Sequence, residues 1–260
     1  MIKASALSLC SVMKEREPKL SIFKQNNQNI IIDETSKEKV SSGVEELACK
    51  LMRHDSLIKE YIVTLRDNFT CKREDFHFSL AGKTEKEKKI IVELFEEMYG
   101  IVTSLYYCPE TQMLNGRISL APKVQGFISG QYMEIAVCKQ VKDVLADLSS
   151  KQNKKFEVYR NVKVSTKEGQ LKNEFDVVIE SEAGDIWVVE VKSGHCFRNY
   201  AQYTSIGRTY GIVPNHFLLV SNSLSEKQCE TVQYFCDYYV CNLESDSFVR
   251  KLTTMIENIR

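Results

Sequence analysis

The chain carries no net charge, because 35 lysines and arginines balance 35 aspartates and glutamates. A global electrostatic pull towards nucleic acid or an acidic membrane is therefore excluded, and any anion-binding surface has to be a local basic patch. There is no run near the roughly 20 apolar residues that a membrane span requires. The opening segment, Met1 to Cys10, is mildly apolar, but charge returns at Lys14-Glu-Arg-Glu17, which makes a poor signal peptide. Nine cysteines are scattered from Cys10 to Cys241 without a CxxC pair, and His54, His77, His195 and His216 lack zinc-ligand spacing. Free thiols in a reducing cytoplasm are expected, with no membrane partner. Internal repeats, low-complexity stretches and a phosphate-cradling glycine loop are also missing. What remains is a 260-residue chain whose 43% hydrophobic content suffices for one large domain or two small ones.

The most informative segment is a pair of strands, Asn173-Glu-Phe-Asp-Val-Val-Ile-Glu180 and Ile186-Trp-Val-Val-Glu-Val-Lys192, joined by the turn Ser181–Asp185. Phe175, Val177 and Ile179 alternate with Glu174, Asp176 and Val178; Trp187, Val189 and Val191 alternate with Ile186, Val188, Glu190 and Lys192. A hairpin pairing Val178 with Val188 also pairs Asp176 with Glu190 and Glu174 with Lys192. One face is then apolar, and the other gathers three acids and a lysine at one end. Directly paired residues hold their Cβ atoms about 5 Å apart, which suits two carboxylates gripping one hard divalent cation beside an ammonium. The bland alternative is a solvated face with weak cross-strand ion pairs. Val178, Ile186 and Val188 share that face, however, and carboxylates on a covered face need a partner.

Upstream, Thr84-Glu-Lys-Glu87 is a capping box opening an amphipathic helix that stops at Gly100. Helices are also expected over 42–53 and 56–68, a short strand at Ile30–Ile32, and a ribbon over 101–107 and 117–120. Helix followed by ribbon is compatible with a winged-helix unit and with other small α+β modules. Pro122 to Gly126 marks a boundary, giving an accessory domain over residues 1–122 and a second domain over 123–260. The second reads as a helix over 129–148, three meandering strands, a helix over 199–210, a strand at 216–221, a Ser225-x-x-Gln228 capped helix, a strand and a closing helix. That order, αβββαβαβα, predicts an α/β fold with a mixed sheet covered on both faces. On the first of these helices, Glu134 shares an azimuth, within about 20°, with Val141 and Leu145. An acid on a core-facing stripe is costly unless paired; a metal centre on the adjoining sheet would supply the partner, and an acid that snorkels from the stripe's edge or caps a basic neighbour is the alternative.

This arrangement resembles the PD-(D/E)XK phosphodiesterase superfamily of restriction enzymes and resolvases. The resemblance implies a restriction-endonuclease-like αβββαβ core in which Glu134 is the helical acid, Asp176 the strand acid, and Glu190-Val191-Lys192 the Glu-x-Lys element. Phe175 stands where the superfamily has its proline. Over about residues 126–255, Gly130-Gln-Tyr-Met-Glu134, Asn173-Glu-Phe-Asp-Val177, Glu190-Val-Lys-Ser-Gly194, Gly207-Arg-Thr-Tyr-Gly211 and Phe217-Leu-Leu-Val-Ser221 resemble the nuclease half of CRISPR-associated effectors activated by cyclic oligoadenylate. Those effectors carry a Rossmann-like sensor, for which the first 125 residues show no parallel-strand pattern, so cyclic-nucleotide control is not expected. The resemblance implies a Mg²⁺- or Mn²⁺-dependent endonuclease acting on DNA or RNA, in prokaryotic defence or a mobile element; a homodimer is a separate expectation. Glu134, Asp176, Glu190 and the Val191 carbonyl are the expected metal ligands, with Lys192 acting on the attacking water or the phosphate. Gln202, Lys172 and Arg198 are substrate-binding candidates, although solvated surface positions account for them equally well. A module that keeps this fold without catalysis, binding nucleic acid or another partner, is the rival reading.

Overall fold

The computed structural model describes residues 30–33, 40–166, 171–193, 201–243 and 246–257, and the statements below concern these residues. Strand β1 (Ile30–Asp33) precedes two helices, α1 (Ser42–Arg53) and α2 (Asp55–Cys71), which turn at His54. Leu47 and Leu51 on α1, and Ile58, Ile62 and Leu65 on α2, are buried at the three- and four-residue spacing of a helical stripe. Burying each such side chain contributes about 1.5–3 kcal/mol before conformational entropy is counted. Next come β2 (Asp75–Ser79), α3 (Glu85–Glu97), β3 (Val102–Cys108) and β4 (Met113–Ile118). The three strands form an antiparallel sheet in the order β2-β4-β3. The capping box opening α3 is present, since Thr84 N–H donates to Glu87 Oε2 at 2.8 Å and Thr84 Oγ1 accepts from Glu87 N–H at 3.3 Å. Strand β2 is an addition to the sequence reading. Only Phe76 and Phe78 signal it, and their rings stack at 4.7 Å beneath α2 and α3.

The link to the second half is a short helix, α4 (Pro122–Gly126), then a widened turn over Phe127–Gln131 and the long helix α5 (Tyr132–Gln152). The helix expected from Ser129 therefore begins three residues later. Gly130 has φ 151°, a conformation that favours glycine, and it breaks the helical path there.

Strands β5 (Phe156–Thr166), β6 (Leu171–Ser181) and β7 (Ile186–Lys192) follow as an antiparallel meander. Helix α6 (Ala201–Tyr210) leads to β8 (Phe217–Ser221); α7 (Glu226–Cys236), β9 (Tyr239–Asn242) and α8 (Ser247–Glu257) complete the described chain. The six-stranded sheet runs β1-β5-β6-β7-β8-β9, with β8 and β9 parallel to β7 and the remaining pairs antiparallel. Residues 30–33 thus complete the sheet of the C-terminal half. This is a mixed α/β sheet with helices on both faces and the αβββαβ order around its centre. Strand β7 is buried from Ile186 to Val191, as expected of a central strand covered on both sides. One face packs α5 and α8, together with the N-terminal helices, against Val177, Ile179, Trp187, Val189 and Val220. The other packs α6 and α7 against Val178, Val188, Phe217 and Leu219.

One expected alternation fails. Phe175 joins the α6–α7 cluster with Val162 and Val164, not the cluster of Val177 and Ile179. The Arg160–Val177 and Val162–Phe175 pairs bracket Asn161, whose φ is 53°. A left-handed residue inside β5 rotates the strand locally, so side chains beyond it exchange faces. Asp176 lies at that crossover.

Candidate active site

The β6–β7 register matches the hairpin reading, with Val178 opposite Val188 and Val177 opposite Val189. One step further, main-chain pairing gives way to a side chain: Asp176 Oδ2 accepts the Val191 N–H at 2.7 Å. The carboxylate thus fastens β7 between Glu190 and Lys192, setting one of these side chains on each side of the bond. Lys192 Nζ lies 3.0 Å from Glu190 Oε2 and 3.7 Å from Asp176 Oδ2. Exposure grades outward, from 4% for the Glu190 side chain through 13% for Asp176 to 34% for Lys192. The ammonium sits at the mouth and the carboxylates behind it. The ring of Tyr203, on α6, has its centroid 5.9 Å from Lys192 Nζ and walls this side of the cluster. Tyr203 carries no motif signal of its own; its neighbour Gln202 alone was singled out by the sequence.

Electrostatics binds Glu134 to the same cluster. Burial, and then the Asp176 charge, push its carboxyl up to about 7, with Lys192 and Arg160 pulling the other way. Glu190 is also raised well above the ordinary carboxylate range, first by burial and then by Asp176, against the pull of Lys192. Burial works against the Lys192 ammonium, but Glu190 and Asp176 hold it protonated, above its usual range. Asp176 therefore repels both Glu134 and Glu190, with Lys192 as the counter-charge to each. Glu134 reaches them because the kink at Gly130 packs the start of α5 against the end of β7. A Cβ built on Gly130 would lie 3.2 Å from Ser193 Oγ.

A second polar cluster holds the surroundings of the site. Asp55, 2% exposed at the start of α2, accepts from the Tyr132 hydroxyl at 2.8 Å and from Asn222 Nδ2 at 3.0 Å. Tyr132 begins the helix that carries Glu134, and Asn222 follows Ser221, the register partner of Lys192. Arg66, on the same α2, donates to the Ile128 carbonyl at 2.9 Å, beside the kink. Sequence reading did not single these residues out, since Asp55 reads as an ordinary first-turn helix acid.

The remaining candidates lie further out. Glu174 is exposed and faces Lys163 on β5; the ion pairs described for Lys192 are with Glu190 and Asp176. Lys172 on β6 and Gln202 on α6 are exposed. Arg198 and His195 lie outside the described residues. Among the described residues no group of three His, Cys, Asp or Glu side chains is arranged to hold a metal ion, and the Lys192 ammonium is paired with both Asp176 and Glu190. The donor types nonetheless fit a hard dication: Asp176 repels the carboxylates of both Glu134 and Glu190, which favours uptake of positive charge. No described helix is long and apolar enough to cross a membrane.

Residues 129–240, which contain this whole cluster, match the family model described as the nuclease-related domain. No curated protein matches the chain. Among solved structures the fold is similar to protein VC1899 from Vibrio cholerae, at 16% identity and a TM-score of 0.57, covering 88% of this chain and 58% of that one. It is also similar to Can2 from Sulfobacillus thermosulfidooxidans, solved in complex with cyclic tetra-adenylate, at 14% identity and a TM-score of 0.55, covering 87% of this chain and 58% of that one. At these identities the likeness is one of fold. The chain spans 58% of the length of either structure. A cover of 88% extends beyond residues 123–260, so the shared fold takes in part of the N-terminal segment as well. The family match and the fold support the resemblance to PD-(D/E)XK nucleases.

Proposed function

We propose that this protein is a divalent-metal-dependent nuclease that hydrolyses phosphodiester bonds at the Glu134, Asp176, Glu190 and Lys192 cluster. One observation carries the reading: an ammonium and two carboxylates converge at the covered end of β6 and β7, and a third carboxylate from α5 is electrostatically coupled to them. Asp176, Glu190, Glu134 and the Val191 carbonyl are the groups that would hold the cation. Hard oxygen donors select Mg²⁺ or Mn²⁺. Such an ion supplies a Lewis acid for the scissile phosphate and lowers the pKa of a bound water. Lys192, at the mouth, donates to charge developing on the phosphate oxygens or orients the attacking water. Glu134, whose carboxyl is pushed up to about 7 without the cation, would give up its proton as the cation binds. Asp176 keeps Glu190 and Lys192 aligned through the Val191 N–H. Residues 123–260 carry the chemistry and residues 1–122 act as the accessory unit. A place in prokaryotic defence or a mobile element follows from the family resemblance.

The rival reading, a non-catalytic nucleic-acid-binding module, is favoured by the position of Lys192, whose single ammonium is already paired with both Asp176 and Glu190. Cleavage of single- and double-stranded DNA and RNA in Mn²⁺, beside calorimetric Mn²⁺ titration, separates the two. The nuclease reading requires Mn²⁺-dependent cleavage that Asp176→Ala abolishes together with Mn²⁺ binding. Binding of nucleic acid without cleavage under any condition favours the module, and equal Mn²⁺ binding by wild type and Asp176→Ala sinks the metal assignment.

A further inference from the structure

A groove of about 850 Å³ opens between the N-terminal helices and the start of α5, and reaches Arg160 on the strand next to Asp176. Its lining includes Gln131, which ends the widened turn, Ile135, which follows Glu134 on α5, and Arg160 on β5. Arg160 is the register partner of Val177 and so stands one residue and one strand away from Asp176. Its Nη1 is closed off from solvent and has no hydrogen-bond partner among the described residues. A buried guanidinium nitrogen without an acceptor is costly, and an anion entering the groove would satisfy it. The other charged lining groups are one base and one acid. Lys123 is exposed, and the one acid of the lining, Glu97, is already engaged by Lys50, whose Nζ lies 2.7 Å from both its oxygens. At the rim stands Tyr99, 95% exposed, the most exposed of the large hydrophobic residues. A ring so displayed offers a stacking face to a base.

We propose that this groove receives one strand of nucleic acid, with a phosphate next to the scissile one on Arg160 and a base stacked on Tyr99. This rests on the nuclease reading of the adjoining site and adds to it a substrate class: an unpaired strand. The volume is that of a small-molecule pocket, roughly 300–1,000 Å³, which accommodates a short single-stranded segment rather than a duplex. Apolar lining from Val44, Leu47 and Phe127 suits sugar and base, and the guanidinium forks a phosphate. The pairing of Arg160 with Val177 places the phosphate site one strand position from Asp176.

The test measures binding in EDTA, which separates affinity from cleavage, over a range of salt. The probes are short fluorescein-labelled single strands of DNA and RNA, their duplexes, and adenosine monophosphate. Arg160→Gln should weaken single-strand binding about tenfold, as expected for loss of a charged hydrogen bond. It should also reduce the slope of log affinity against log salt by about 0.7, the value for one phosphate contact on a single strand. Tyr99→Ala, at a surface position that leaves the core intact, should weaken binding about tenfold with the slope unchanged. In Mn²⁺ both variants should raise KM and keep kcat within about threefold of wild type. The inference is overturned if the wild type binds none of the probes, if it prefers duplexes, or if neither variant alters affinity or slope. Adenosine monophosphate binding as tightly as the strand, and lost in both variants, would make the groove a free-nucleotide site and refute the strand. A wild type that never cleaves but binds strands through Arg160 and Tyr99 leaves the groove standing and removes the nuclease reading. A wild type that cleaves, with both variants unchanged in KM, does the reverse.

Discussion

Replacing Lys192 by alanine should move three observables in different directions. The ammonium lies 3.0 Å from Glu190 Oε2 and 3.7 Å from Asp176 Oδ2. Removing it strands Glu190, a residue only 3% exposed. Breaking a fully buried pair costs about 3–5 kcal/mol. Here the figure is smaller, because the Lys192 side chain is 34% exposed and water screens part of the interaction. Glu190 also has an escape: its carboxyl is already raised above the ordinary range, so it can neutralise itself by taking up a proton. A loss of about 1–2 kcal/mol is expected from urea denaturation in EDTA.

Mn²⁺ reverses the sign. The same ammonium competes with a dication for the same two carboxylates, so Lys192→Ala should bind Mn²⁺ more tightly than wild type, by about tenfold or 1.4 kcal/mol. Saturating Mn²⁺ should then stabilise the variant more than the wild type by the same amount. Turnover should nevertheless fall by about 10²–10³, the usual cost of losing one preorganised donor to the transition state. Calorimetry, denaturation and single-turnover cleavage together give the answer. A folded variant with unchanged or weaker Mn²⁺ binding would refute the claim that Lys192 stands on the cation's ground. Cleavage at the wild-type rate would refute its catalytic role.

Glu134 supplies a pH prediction. Its carboxyl rises from an ordinary 4.5 to about 7 in the folded chain, so its contribution to stability is complete below about 4.5 and lost as pH rises towards 7. A dication needs the charged form, so Mn²⁺ affinity should climb between about pH 6 and 8, and Glu134→Gln should flatten that climb; an identical climb in both would reject the assignment. Gly130→Ala forces φ 151° on a residue with a Cβ and brings that atom 3.2 Å from Ser193 Oγ. It should cost about 1–3 kcal/mol in denaturation and slow cleavage as the start of α5 shifts; unchanged stability would show that the kink is not required. Tyr132→Phe leaves Asp55 with Asn222 as its remaining described donor, for a loss of about 1–3 kcal/mol. A change within about 0.5 kcal/mol, the range of an ordinary surface substitution, would show that the network carries no stability.

The hairpin register was legible because two apolar runs with period 2 admit few alignments, and a one-residue slip would bury the wrong face of both. Glu134 was legible from its azimuth, since an acid amid Val141 and Leu145 has a cost that demands a partner. Three features were hidden. The face exchange at Phe175 depends on Asn161 adopting φ 53°, and asparagine alone does not announce a left-handed residue within a strand. Strand β2 is five residues long and its two phenylalanines give only one and a half cycles of alternation. Asp55, Tyr132 and Asn222 meet across 167 positions of sequence, and local pattern carries no information on such a contact. The helix start was misread by three residues for a related reason: Gly130 inside an otherwise helical pattern is tolerated in many helices, and only its φ shows that this one turns there.

The N-terminal helices are part of what holds the site in shape. Asp55 on α2 touches the first residue of the helix bearing Glu134 and the residue after the strand neighbour of Lys192. Its two oxygens thus link the two walls between which the carboxylates lie. Both described donors are neutral, so hydrogen bonds compensate the charge of Asp55 there; such a carboxylate is held only while both partners stay in place. Arg66 adds a third tie, to the Ile128 carbonyl beside the Gly130 kink. A shift of α2 relative to the sheet would therefore have to break a buried carboxylate network or carry α5 and β8 with it. The second course moves Glu134 relative to Lys192. Whatever binds the accessory helices, or the groove between them and Arg160, has in this network a physical route to the reacting centre.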